Sequence, residues 1–184
     1  MKIISVNIGA RKEIQWKNSL VTTGIFKYPV KEAISLGIEN VANDAVVDRI
    51  YHGGLNKAVY AYGENHYAHW QKLYPNLEFN FGMFGENLTI SKLCEDQIFV
   101  GDTFEVGSAI IAVTKPREPC YKLGVRFGDA KVIKQFWNDN KCGVYFKVLQ
   151  IGEVKTGDVL KLVKHQADNL SIAQVYQNIK NKLQ

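Results

Sequence analysis

Gly101-Asp102-Thr103-Phe104-Glu105-Val106-Gly107-Ser108-Ala109-Ile110-Ile111-Ala112-Val113-Thr114-Lys115 is the stretch whose reading decides the fold. Two runs, 103–106 and 109–115, are rich in β-branched and aromatic residues. A turn over 105–107 separates them and Gly101-Asp102 precedes them, which is the pattern of antiparallel strands joined by tight turns. The second run leads directly into Pro116-Arg117-Glu118-Pro119-Cys120-Tyr121-Lys122-Leu123. Here a cysteine stands behind two prolines and between basic side chains. Each proline fixes its own φ and disfavours helix just before itself, so the backbone entering Cys120 should be extended and stiff. Arg117 and Lys122, joined by Arg126 if 119–126 forms a turn or two of helix, stabilise a thiolate over a thiol. These residues leave two readings open: an activated sulfur, or the small buried hydrophobe that most cysteines are.

Outward from this stretch the same pattern repeats. Short strands are expected at 88–90, 97–100, 143–151 and 158–163, and many short strands with close turns argue for a barrel or sandwich over a parallel α/β sheet. One helix interrupts the series, with Asp129 as N-cap and Val132, Ile133, Phe136 and Trp137 as its apolar stripe. Toward the N-terminus, 2–8, 13–16, 20–28 and 57–62 read as strands. A helix over 64–74 stops at Pro75; its His66 and His69 read as a solvated face, because no further ligand completes a metal set. After Lys164, Ser171 and Gln174 form a capping box that opens a last helix running to about residue 182. The organisation expected is one barrel domain over 1–164 with a C-terminal helical tail over 165–184.

A chain of 184 residues that is 46% hydrophobic and 22% charged is large enough for one good core. The first residues lack the apolar run of a secretory leader, and no run approaches the roughly 18–20 apolar residues a membrane helix needs. A cytoplasmic protein with no membrane association is therefore expected, and its three cysteines are expected to stay unpaired in a reducing compartment. The net charge of +5 suggests an anionic partner, which a phosphate-bearing cofactor fits as well as nucleic acid does. No Lys/Arg block is long enough for a nucleic-acid arm, and no stable nucleic-acid complex is expected.

Two further clusters carry chemistry. In His52-Gly53-Gly54-Leu55-Asn56-Lys57 the glycines let the backbone approach a ligand, successive N–H groups are candidates for an anion nest, and His52 and Lys57 bracket them with donors. A plain glycine turn feeding a strand explains the same residues. In Phe84-Gly85-Glu86-Asn87-Leu88 a carboxylate and an amide stand at a strand entrance, where Glu86 is placed to hold Lys57 or Arg117, to bind a ring N–H of a ligand, or only to cap a turn. Cys94 lies beside Glu95 and Asp96, a poor setting for a thiolate. Cys142 precedes a strand and reads as structural, which leaves Cys120.

Taken in order, His52-Gly53-Gly54, Lys57-Ala58-Val59, Phe84-Gly85-Glu86-Asn87-Leu88, Gly101-Asp102 and the octet around Cys120 resemble the MOSC domain family, most closely its stand-alone YiiM-like branch. The resemblance covers roughly residues 20–164. It implies a mainly β fold with inserted helices, a closed or partly open β-barrel of the pyruvate-kinase type. It implies the molybdenum cofactor, Mo-molybdopterin, with Cys120 as thiolate ligand to the metal, soft-donor chemistry that agrees with an activated sulfur. The implied activity is reduction of N-hydroxylated compounds, such as hydroxylaminopurine base analogues, with electrons from a separate flavin-containing reductase. Catalytic roles then fall on Cys120, His52 and Glu86, and cofactor-binding roles on Gly53, Gly54, Asn56, Lys57, Asn87, Arg117, Tyr121 and Lys122. A homodimer is compatible with the resemblance. Two alternatives stand beside it: a non-catalytic cofactor or sulfur carrier using Cys120, and a metal-free cysteine hydrolase or transferase with His52 as base. Longer relatives carry a helical extension after the barrel, whereas about twenty residues follow Lys164 here. No pyridoxal-phosphate domain accompanies the motifs, so a sulfurase acting alone is not expected.

Overall fold

The hairpin that the sequence marks most strongly lies toward one end of the main sheet. Strands β8 (Thr103–Val106) and β9 (Ala109–Pro116) pair antiparallel from Thr103↔Ala112 to Val106↔Ala109. The structure is a computed structural model that describes residues 1–45, 47 and 53–183, the last without its side chain. In chain order the remaining strands are β1 (Ile3–Gly9), β2 (Lys12–Trp16), β3 (Ser19–Thr23), β4 (Lys27–Val30), β5 (Ile34–Leu36), β6 (Val59–Gly63), β7 (Leu88–Ile90), β10 (Val144–Gln150), β11 (Gly152–Val154) and β12 (Lys161–Lys164). The helices are α1 (Tyr67–Leu73), α2 (Tyr121–Phe127), α3 (Lys131–Asn138) and α4 (Ile172–Leu183).

Eight strands form one sheet in the order β12-β8-β9-β10-β6-β7-β1-β4, antiparallel except for β6 beside β7. The sheet curls back on itself. The lead-in to β12 reaches the start of β1 through Ile3 N–H to Asp158 O (2.8 Å), Gly157 N–H to Ile3 O (2.9 Å) and Leu160 N–H to Met1 O (2.8 Å). These bonds satisfy backbone groups that an open edge would expose, and the result is the curled, barrel-like sheet that the resemblance implies. β5 pairs with β11, and β2 with β3, as small separate sheets.

Helices cover one end of the sheet with a cluster of rings. Tyr62 stacks on Phe84 with centroids 4.1 Å apart, Trp70 stacks on Phe136 at 5.8 Å, and Trp70 Nε1–H donates to Tyr62 Oη at 2.8 Å. Burying such a side chain contributes about 1.5–3 kcal/mol. The cluster fixes α1, α2 and α3 against β6, which places the loop before α2.

Several elements differ from the sequence expectation. Residues 20–28 are two strands, because the chain turns at Gly24, where a Cβ would fall 1.8 Å from the Ala45 carbonyl oxygen. Residues 97–100 form no strand; a single bridge, Phe99↔Ser171, ties them to the start of α4. The expected strand over 57–62 starts later, after a 3-10 turn at Leu55–Lys57. α3 begins at Lys131, with the Asp129 carboxylate accepting from Lys131 N–H at 2.9 Å just outside it. His66 is not on a solvated face. It is buried, with Nε2 at 3.1 Å from both oxygens of Glu95, while the more exposed His69 meets Asp139 at 2.7 Å. Among the described residues no three ligating side chains gather as a metal site, and no helix is long and apolar enough to cross a membrane.

The capping box forms as read, with Ser171 N–H donating to Gln174 Oε1 (2.8 Å) and Gln174 N–H to Ser171 Oγ (3.2 Å). Behind it, Ile172 and Tyr176 are fully buried, and the Tyr176 hydroxyl donates to Phe136 O at 2.9 Å. Ser171→Ala should therefore cost about 1 kcal/mol, read in thermal unfolding as a fall of roughly 2–4 °C.

Candidate active site

β9 ends on Pro116, whose pairing with Val144 is the last of that ladder. Pro119 then delivers Cys120 in an extended conformation (φ −124°, ψ 169°) at the N-cap of α2, and Leu123 N–H returns to Cys120 O at 2.9 Å. The stiff entry and the short helix expected from the sequence are both present. Gly128, with φ 66°, ends the helix in the left-handed region that glycine tolerates. Cys120 is half-buried, Cys94 exposed and Cys142 buried; among the described residues, which include all three cysteines, there is no disulfide. Burial pushes the Cys142 thiol well up, as befits a structural cysteine.

Cys120 lines a cavity with four cationic residues, Lys27, Lys57, Arg117 and Lys122, and one carboxylate, Asp44, among the described wall. Arg117 lies under the surface at 4% exposure, its guanidinium 5.3 Å from the ring centres of both Tyr60 and Phe136. Its Nη1 is buried with no hydrogen-bond partner among the described residues. Burial opposes its charge, but Tyr60, Tyr145 and Cys120 nearby outweigh that effect and raise its pKa. The same burial pushes the Tyr60 and Tyr145 phenols up, so both remain neutral donors. An unsatisfied buried donor on a charged group costs about 1–3 kcal/mol or more.

At the other side of the wall, Lys27 forms an ion pair with Asp44. Asp44 is fixed by Gly9 N–H on Oδ1 and by Asn87 Nδ2–H on Oδ2, each at 2.9 Å. Burial lowers the Lys27 pKa, with the Asp44 charge opposing. Neither residue stood out in the sequence. Lys27 occupies a strand position where a surface lysine looks identical, and Asn43-Asp44 reads as turn chemistry.

The other expected residues divide. Gly53, Lys57, Asn87, Arg117 and Lys122 share the cavity wall with Cys120. Asn87 acts as a support, since its amide holds Asp44 and its Oδ1 accepts from Tyr60 N–H at 3.3 Å. Gly53 and Gly54 have φ 77° and 78°, yet Gly54 N–H donates to Glu39 O at 3.1 Å, so that half of the anticipated nest is already engaged. Asn56 faces a second, shallower cleft, with its carbonyl accepting from Thr114 Oγ1 at 2.6 Å. Tyr121 packs outside the wall, stacked on Trp16 at 4.5 Å. His52 lies outside the described residues.

Glu86 is not on the described wall. It is fully buried, and its carboxylate accepts Gly82 N–H (2.8 Å), Phe84 N–H (3.0 Å), Thr89 Oγ1–H (3.0 Å) and the Tyr67 hydroxyl. Burial pushes its pKa up while these bonds hold it down. Its position is that of a loop organiser between α1 and β7, behind the wall, where its charge still acts on Lys27.

A profile of the MOSC domain matches residues 48–161, more than half of the chain and all of the cavity's Cys120 side. The chain belongs to the MOSC domain family. The Bacillus subtilis protein YflK is 34% identical over 170 residues, which span 92% of this chain and 76% of YflK. A Gibberella moniliformis protein named as a reductase is 29% identical over 132 residues, covering 70% of this MOSC protein but only 24% of the reductase. The crystal structure of YiiM from Geobacillus stearothermophilus superposes with a TM-score of 0.81 at 34% identity, covering 98% of this chain and 84% of YiiM. The barrel-like sheet and the YiiM-like character of this MOSC protein follow from those matches.

Glu86→Gln replaces an acceptor-only carboxylate by an amide whose NH2 must face one of four donors. A loss of about 1–3 kcal/mol is expected in denaturant unfolding, with the midpoint falling and the cooperativity kept.

Proposed function

We propose that this MOSC protein holds the molybdenum cofactor in the cavity at Cys120 and reduces N-hydroxylated compounds to amines, drawing electrons from a separate flavin-containing reductase. The observation that carries this reading is Arg117: a buried guanidinium with an Nη1 that has no partner among the described residues, on the same wall as a half-buried thiol and three lysines. That donor set suits a ligand bearing both a soft metal and an anionic phosphate. The relative named as a reductase, and membership of the MOSC family, support this class of chemistry.

In this reading the Cys120 thiolate holds the metal, and Arg117, Lys57 and Lys122 hold the anionic groups of the cofactor. Tyr60 and Tyr145 keep Arg117 aimed, through the ring contact of the one and the side-chain hydrogen bond of the other. Bound there, the cofactor supplies the two-electron redox chemistry that side chains lack. The chain's own part is to bind, to orient and to provide protons.

Protein produced in a host that makes the cofactor is expected to carry molybdenum and to convert hydroxylaminopurine to the amine with dithionite as reductant. Cys120→Ala should lose the metal and the activity together. Arg117→Met, which removes one charge-assisted contact of about 1.5–3 kcal/mol, should weaken cofactor retention by roughly 10–100-fold. A Cys120→Ala protein that retains molybdenum would refute the assignment.

A further inference from the structure

Lys27 is buried at 6% exposure at the first position of β4, yet it lines the same cavity as Cys120. Its ammonium is held by Asp44, itself clamped by Gly9 N–H and Asn87 Nδ2–H. A buried ion pair is seldom there for stability, because an apolar pair of the same volume is usually as stable or more so. Here the pair costs desolvation at a cavity wall, and neither the cofactor-holding roles nor the packing described above uses it.

Reducing a hydroxylamine needs what this pair offers. R–NH–OH takes up two electrons and two protons and gives R–NH2 and water. The N–O bond breaks, the electron pair comes from the flavin-containing reductase, and the oxygen leaves easily only if it is protonated as it departs. Among the described wall groups, Arg117 does not release its proton, and burial turns Tyr60 and Tyr145 into weaker acids. Lys27 changes in the opposite direction, since burial makes its ammonium a stronger acid than a surface lysine. The charged groups facing it are Asp44 and Glu86. Arg126 of α2 donates to the Lys27 carbonyl at 3.3 Å, and Arg117, Lys57, Lys122 and Cys120 stand on the shared wall.

We propose that Lys27, positioned by Asp44 and Asn87, is the proton donor of this cavity and delivers its proton to the oxygen that leaves an N-hydroxylated substrate. The inference rests on the reductase reading above. Lys27 is left as the neutral amine and is recharged from solvent, while the second proton reaches the product nitrogen from water.

Lys27→Arg keeps the charge and the Asp44 pairing but removes a releasable proton. With cofactor-loaded protein, hydroxylaminopurine and dithionite, kcat should fall about 100-fold or more, with KM and the unfolding midpoint unchanged. The loss of wild-type turnover with rising pH, as Lys27 deprotonates, should disappear from the variant's profile. A Lys27→Arg protein with wild-type kcat at every pH overturns the proposal and leaves the reductase reading standing. Wild-type protein without turnover refutes the reductase reading, and the proposal falls with it. Reductive methylation with formaldehyde and cyanoborohydride, mapped by peptide mass, should modify Lys27 at lower pH than surface lysines, with protection by hydroxylaminopurine. A Lys27 that stays unmethylated throughout is a sealed structural pair, which also overturns the proposal.

Discussion

The return of the sheet onto its own first strand is the constraint from which the rest follows. A sheet of this width must hide its edge groups, and here the chain does so by laying residues 157–160 against Met1–Ile3. Curling that far leaves one end of the sheet to be plugged. The rings of Tyr62, Trp70, Phe84 and Phe136 do this, and they leave beside them a cavity into which β4, β6 and the loop after β9 all reach. The site is therefore a by-product of closure, assembled from segments far apart in sequence.

Charge is distributed unevenly around that cavity. Glu86 and the His66–Glu95 pair are buried and hydrogen-bonded inside the scaffold and do not line the described wall. The wall itself keeps four cations and a single carboxylate among its described residues. Satisfied polar groups hold the loops in place, and of the two arginines that keep a buried nitrogen without a partner among the described residues, Arg117 and Arg126, the first lines the cavity.

What could be read from the sequence follows the range of the interactions involved. The β8–β9 hairpin, the stiff approach to Cys120 and the Ser171–Gln174 box depend on neighbours within a few residues, and each is present. The Lys27–Asp44 pair, the burial of His66 and the retreat of Glu86 depend on partners 17, 29 and up to 19 positions away. No local pattern distinguishes a lysine that will meet a buried carboxylate from one that will meet water. Glu86 shows the complementary case. A carboxylate after a glycine-rich run is a fair candidate for a ligand site, and only the four donors that converge on it reveal a different task.

The last helix carries a consequence for where this module begins and ends. Tyr176 is buried against Trp137 and Phe136, and the backbone at the start of α4, Leu170 and Ile172, is bonded to residues 100 and 98. The MOSC profile stops at residue 161, before this helix, and starts at 48, after β1 has already closed the sheet. The cooperative folding unit is thus larger than the recognisable motif on both sides. A fragment cut at the motif's borders would lose β1 and β4, most of β12 and a buried tyrosine together, so any transplant of this module into another protein must carry both flanks with it.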